Sequence, residues 1–217
     1  TVRYAAALSV DEHTKEDELN AYRLKREALA SHPLLRADAI KFMLDGVIES
    51  HTAAMLEPYD DMPESRGGFT LPQEDYRRLV TNLDNAGFRL YTHGLGDMAV
   101  REALNAYENA ARTNEARPRR HRVEHIETIN PQDLPRFVSL GVMPSMEPIH
   151  ADPGAMAVWE KAVGPGRLPW SFAWNSILST GAVLVFSSDW PACIDLNPIR
   201  GIHVAVNRRT PDGFPPE

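Results

Sequence analysis

The chain has a single cysteine, Cys193, and no apolar run that approaches the length of a membrane span. Gly-x-Ser-x-Gly and His-Glu-x-x-His are also missing. Each absence removes a class of protein. One thiol cannot close an internal disulfide, so nothing ties the chain to an oxidising compartment, and a reducing cytoplasm is the expected location. Without roughly 18 uninterrupted apolar residues no membrane span is expected, and no charged-then-apolar leader opens the chain. Basic residues are outnumbered, 23 Lys+Arg against 30 Asp+Glu. A net negative surface repels polyphosphate, so nucleic acid is not an expected partner. The missing serine elbow and zincin signature exclude those hydrolases. With 43% hydrophobic residues in 217, the chain can bury a core and reads as one domain over residues 1–217, not as disorder, collagen or coiled coil.

What is present is an alternation of short β-rich runs with helical stretches. Strands are expected over residues 2–8, 39–44, 88–92, 122–126, 142–145 and 182–186. Helices are expected over residues 16–30, 70–87, 98–112, 130–140, 170–180 and 198–208, punctuated by Pro33, Pro72, Gly87, Asn130-Pro131, Gly141 and Gly181. A long Gly- and Pro-containing loop covers residues 45–68, and a looser stretch covers 148–169. Six β/α units imply a parallel sheet with helical crossovers, either doubly wound or a barrel. Polar residues recur at the C-terminal ends of the strands, where α/β barrels keep their chemistry. The expected fold is therefore α/β, an incomplete (β/α)8 TIM-like barrel, since a complete one needs eight strands.

Lys41, His93, His125 and Asp189 come from four different strands and converge on one end of such a barrel. Imidazole nitrogen and carboxylate oxygen suit a divalent metal such as zinc. A lone histidine near a strand end is more often a hydrogen-bonded or surface residue, so the argument rests on the set. Lys41 stands in an otherwise apolar strand. It either forms a core ion pair with an acid such as Asp45 or, with its amine neutralised by burial, takes up carbon dioxide as a carbamate whose oxygens can bridge two metals. Gly94-x-Gly96-x-x-Ala99 mimics a dinucleotide fingerprint, but Asp97 would put a carboxylate where the pyrophosphate must sit.

The ordered segments carry more than any one motif. Ile40-Lys41-Phe42-Met43-Leu44-Asp45-Gly46-Val47-Ile48-Glu49-Ser50, Thr92-His93-Gly94-Leu95-Gly96-Asp97, His121-Arg122-Val123-Glu124-His125, Ser145-Met146-Glu147-Pro148-Ile149-His150 and Ser187-Ser188-Asp189-Trp190-Pro191 resemble amidohydrolase family 3, a branch of the metal-dependent amidohydrolase superfamily. The resemblance covers nearly the whole chain, from the third barrel strand to just past the eighth. It implies a distorted (β/α)8 barrel holding one or two divalent ions, zinc foremost. The family's metal-binding Lys, usually carbamylated, matches Lys41, and its strand-end His ligands match His93 and His125. Its last-strand Asp, ligand and general base, matches Asp189.

The implied reaction is hydrolysis of a C–N bond other than a peptide bond, in a small amide, N-formyl or N-acyl amine, by a metal-activated water. Asp189 would take that water's proton and pass it to the leaving amine. His150, Glu147 and Arg122 are expected to contact substrate. Asp97 is expected to cap a helix or orient His93, Glu124 to support its neighbours, and the loop residues Glu49, Ser50, Thr52 and Tyr59 to roof the pocket. Two departures stand out. No His-x-His pair occurs between Thr1 and Glu217, so the family's first two barrel strands and its flanking β-sandwich have no counterpart, and the chain, which starts without Met, reads as a piece of a longer protein that is inactive alone. Glu147 also stands where family members commonly have Gln. Open sheet edges would favour self-association or a homo-oligomer, and a non-catalytic barrel remnant acting as a binding module is the rival reading.

Overall fold

Six parallel strands lie side by side in chain order: β1 (Tyr4–Val10), β2 (Leu35–Met43), β3 (Arg89–Gly94), β4 (Arg122–His125), β5 (Met143–Met146) and β6 (Val185–Phe186). This is a computed structural model, which describes residues 1–193, 196–210 and 212–215. The connecting helices are α1 (Glu16–Ala28), α2 (Gln73–Asn85), α3 (Asp97–Thr113), α4 (Leu134–Leu140), α5 (Ala157–Val163) and α6 (Trp174–Ser179), with α7 (Pro198–Asn207) after β6. A doubly wound sheet reverses its strand order at a switch point, whereas here the order follows the chain throughout. The sheet is open, a partial barrel with edges at β1 and β6.

The two sheet faces differ in a way that also argues for a barrel wall. Ile40, Phe42, Leu90, Thr92 and Val123 are fully buried. Phe42 meets Tyr76 of α2 edge-on with ring centroids 5.3 Å apart. The Thr92 hydroxyl bonds to Tyr76 at 2.8 Å and to Tyr107 of α3 at 2.7 Å, and Tyr107 reaches the Arg122 carbonyl at 2.9 Å. That face is covered by helices. On the other face Lys41, Tyr91, Arg122 and Met143 form one register row across β2 to β5, and all four are only half-buried. Polar side chains are tolerated there because that face is the barrel lumen.

Element ends follow local chemistry. Asn130 caps the turn before α4, its side chain accepting the Gln132 N–H at 3.0 Å, and Gly141 ends α4 in the left-handed region at φ 63°. Three boundaries differ from expectation. β2 starts at Leu35 because Tyr4 of β1 pairs with it, even though polar Arg36 and Asp38 mask the strand pattern. Trp170 closes a short 3-10 turn, Leu168–Trp170, and residues 171–173 leave the helix: the Phe172 N–H binds the Glu127 carbonyl at 2.9 Å and Ser171 bridges Thr128, so α6 begins at Trp174. β6 is confined to Val185–Phe186, which pair with Ser145 and Met146 at the end of β5.

A buried charge cluster anchors the lower end of α2. Asp84 accepts from Arg117 at 2.6 Å, Arg119 at 3.0 Å, Asn114 at 2.8 Å and His121 Nε2 at 3.0 Å. His121 Nδ1 accepts the Leu90 N–H at 3.0 Å, which assigns the ring proton to Nε2. Burial works to raise the Asp84 pKa, but these hydrogen bonds and charges outweigh it and hold the carboxyl below its ordinary range. Removing a buried partner leaves uncompensated charge. Asp84→Ala is therefore expected to lower stability by about 3 kcal/mol at neutral pH, read as the urea midpoint. Because the folded-state pKa is depressed, wild type loses this contribution as pH falls below about 4, so the two midpoints should converge in acid.

Candidate active site

Parallel strands end on the same side, so their C-terminal residues meet. β3 ends in His93-Gly94 and β4 in His125, while β5 and β6 run directly into Glu147 and Ser187-Ser188-Asp189. The backbone is strained where the chain leaves the sheet: His125 has φ 75°, Ile126 φ 52° and Asp189 φ 52°. A β-branched residue in the left-handed region is a true outlier, and such strain concentrates at functional sites. The Ile126 N–H is secured by the Gly94 carbonyl at 3.1 Å.

The His93 and His125 rings meet edge-on with centroids 4.5 Å apart, and the His125 and His150 rings stack at 5.6 Å and 9°. His93 Nε2 lies 3.1 Å from the Gly46 carbonyl, to which it donates, and 3.7 Å from Asp45 Oδ1. His125 Nδ1 lies 2.9 Å from Glu147 Oε2 without hydrogen-bond alignment, and both atoms are buried and otherwise unpartnered. The other Glu147 oxygen accepts from Ser187 Oγ at 2.7 Å. His150 Nδ1 is 3.0 Å from Glu127 Oε1, Trp159 Nε1 donates to Glu127 Oε2 at 2.8 Å, and His150 Nε2 stands 3.6 Å from Asp189 Oδ2. His125, His150 and Asp189 each bring one potential ligand atom within 4.8 Å of the others. Beside them Arg122 lies over the Tyr91 ring at 3.9 Å, its Nε donating to Glu124 at 2.6 Å.

Burial dominates the electrostatics. It pushes His93 and His125 down to about 3, so both rings are neutral. It lowers Lys41 against the pull of Glu124, Glu147 and Asp189, and raises Glu147 despite the Ser187 bond. It also lifts Asp45 to about 7 against three backbone donors. For His150 burial is outweighed by the Glu127 hydrogen bond and nearby carboxylates, and its pKa rises.

The structure brings His93, His125, Glu147, His150 and Asp189 together, with Lys41, Arg122 and Glu124 on the adjoining lumen wall. Other expectations need correction. Asp97 does not reach His93: it sits in the first turn of α3 and accepts the Leu56 N–H at 2.8 Å, while the carboxylate beside His93 belongs to Asp45. The Lys41–Asp45 pair does not form among the described residues, because Asp45 is occupied by the N–H groups of Ala54, Leu95 and Gly96. Among its neighbours, Glu124 accepts from Arg122. Tyr59 does not roof the pocket; it is buried and donates to the Ala53 carbonyl at 2.7 Å. Glu127 and Trp159 were not singled out by sequence, and Asp45 was read there only as a partner for Lys41; the one sequence signal for Glu127 is an acid two residues past His125.

The depressed histidines set an acid limb. Between their folded values of about 3 and the ordinary 6.5, the unfolded chain binds more protons, so stability falls as pH drops through that window. The loss is about 2 kcal/mol per ring near pH 5. Urea midpoints of the metal-free chain at neutral and mildly acidic pH check this; His125→Asn should lessen the difference, and a pH-independent midpoint would contradict neutral buried rings.

Comparison with known proteins agrees with this geometry. Residues 2–217 match the sequence profile of the amidohydrolase family. The LONG AFTER FAR-RED 3 protein of Arabidopsis thaliana is 32% identical over 172 residues, 79% of this chain and 29% of its own length. YtcJ of Bacillus subtilis (strain 168), designated an amidohydrolase, is 27% identical over 180 residues, 83% of this chain and 33% of its own. The crystal structure of an uncharacterised metal-dependent hydrolase from Pyrococcus furiosus aligns with a TM-score of 0.76 at 28% identity, covering 88% of this chain and 38% of that one. The chain thus spans about a third of the length of these relatives. From the profile match and the strand-ordered site together, the chain belongs to the amidohydrolase family.

Proposed function

We propose that this chain is the barrel part of a metal-dependent hydrolase that cleaves a C–N bond other than a peptide bond, in a small amide, N-formyl or N-acyl amine. The observation that carries the reading is the cluster of His125, His150 and Asp189 donor atoms within 4.8 Å at the C-terminal ends of parallel strands. The buried pair His125 Nδ1 and Glu147 Oε2, 2.9 Å apart without hydrogen-bond alignment, supports the same reading, since buried polar atoms without a partner carry a desolvation cost that a bound ion nearby would offset. A nitrogen and oxygen donor set suits zinc. Asp189 and His125 would hold the ion, with His93 beside them; Lys41 could join only as its carbamate, because an ammonium has no lone pair.

When bound, a divalent ion supplies Lewis acidity that polarises a carbonyl and acidifies water. The chain's own groups do the rest. The Asp189 carboxylate accepts the proton of the attacking water and delivers it to the amine nitrogen as the C–N bond breaks and the C–O bond forms. Arg122, held flat on Tyr91 and tethered by Glu124, keeps N–H donors free for a substrate oxygen. Buried, neutral His93 and His125 add no positive charge that would repel a cation. The single thiol suits a reducing cytoplasm. A second reading, a non-catalytic barrel that binds a partner or a second copy, is favoured by the open edges of β1 and β6 and by exposed Phe186, Ile199, Ile202 and Val206.

Zinc uptake and amine release from N-formyl and N-acyl substrates separate the two. With zinc retained and turnover present, Asp189→Asn should lower kcat/KM by about 10²-fold or more, and His125→Ala should lose metal and activity together. Turnover unchanged in both variants would sink the site assignment, whereas no zinc uptake by wild type would favour the binding module.

A further inference from the structure

We propose that His150 is itself a ligand of the divalent ion, through Nε2, and that Glu127 and Trp159 form the support that holds it in that role. The inference rests on the metal-dependent reading above and extends it, because the resemblance places no metal ligand on the turn after β5.

The ring's tautomer follows from its neighbours. Glu127 Oε1 lies 3.0 Å from His150 Nδ1, and a carboxylate there can only accept. Nδ1 therefore carries the hydrogen, and in its neutral form the ring keeps its lone pair on Nε2. The second Glu127 oxygen is taken by the Trp159 indole N–H at 2.8 Å. Glu127 is 4% exposed and Trp159 1%, so the support behind the ring is enclosed. The Glu127 backbone is clamped as well: its carbonyl accepts the Phe172 N–H at 2.9 Å, and the next residue, Thr128, donates to the Leu95 carbonyl at 3.0 Å. His150 lies on a short turn, Pro148–Ala151, where its N–H binds the Glu147 carbonyl at 3.0 Å. Nothing in this arrangement leaves the ring free to swing.

The distance on the other side of the ring selects among roles. Nε2 to Asp189 Oδ2 is 3.6 Å, beyond the usual N–H···O range of about 2.7–3.2 Å. Two donors bound at about 2.0–2.1 Å to one tetrahedral ion stand about 3.3 Å apart, so the gap matches shared ligation better than a hydrogen bond. His125 completes the set, its ring stacked on His150 at 5.6 Å. A carboxylate that receives one ring N–H while the other nitrogen meets a metal is the arrangement that orients ligating histidines generally. The chain then supplies three donors from three places: the end of β4, the turn after β5 and the residues after β6.

The test is zinc binding by the metal-free chain in competition with a chromogenic chelator. Relative to wild type, His150→Gln should weaken zinc by at least about 100-fold and Glu127→Gln by about 10–100-fold, while His13→Gln, on an exposed side chain, should change nothing. In the 15N-labelled wild type, zinc should shift the His150 Nε2 resonance while Nδ1 stays protonated; this decides the matter should a variant not fold. If His125→Ala abolishes zinc binding but His150→Gln does not, and the His150 nitrogen does not respond, this inference falls and the metal-dependent reading stands. If wild type takes up no zinc, both fall.

Discussion

One buried carboxylate organises the mouth of the sheet. Asp45 is 2% exposed and accepts three backbone N–H groups, from Ala54 at 2.9 Å, Leu95 at 3.1 Å and Gly96 at 3.0 Å. Those donors belong to the long loop after β2 and to the turn between β3 and α3, so a single side chain joins segments about 50 residues apart. The contact is close: a Cβ on Gly96 would meet the Ala54 carbonyl oxygen at 2.0 Å, which only glycine avoids. With the loop pinned, the Gly46 carbonyl is fixed where it receives His93 Nε2 at 3.1 Å. The loop thus belongs to the wall of the site, and its interior residues Ile48, Ala53, Met55 and Tyr59 bury apolar surface beneath it.

Around this anchor the molecule keeps charge in low-dielectric surroundings by pairing it or by suppressing it. Arg122 is stacked on Tyr91 and bonded to Glu124, and Asp84 is enclosed by two arginines, a histidine and an asparagine. His93 and His125 are instead held neutral. Among the buried side-chain atoms left without a hydrogen bond, which also include Arg89 Nε and Ser145 Oγ, His125 Nδ1 and Glu147 Oε2 face each other at the strand ends, beside the left-handed backbone of His125, Ile126 and Asp189. Two such atoms facing each other, next to strained backbone, single out this end of the sheet as the place to look for chemistry.

Legibility in the sequence followed the range of the forces involved. The β/α alternation is a local pattern, and six strands and most helices fell close to where hydrophobic period, proline and glycine put them; α5, Ala157–Val163, lies in the stretch 148–169 that was read as loose. The C-terminal strand residues were legible because parallel strands must end together. Errors arose where a long-range partner decided. Asp97 stands four residues from His93 in sequence, yet Asp45, across a strand pair, is its neighbour in space. Lys41 and Asp45 are close in sequence but point to different environments, one to the lumen wall and one to backbone donors. The shortness of β6 and the late start of α6 were set by which strand and loop lay alongside.

The sequence by itself determined the order of elements, the parallel sheet, the segments that mark the family and the residue types delivered to the strand ends, because each is written in local periodicity or in contiguous motifs. Tertiary structure alone decided which acid lies beside which histidine: Asp45 3.7 Å from His93, Glu147 2.9 Å from His125, and Glu127 hydrogen-bonded to His150 at 3.0 Å. Those pairings join residues from separate elements, and which carboxylate arrives is settled only when burial and backbone hydrogen bonding close the loop and turns over the sheet.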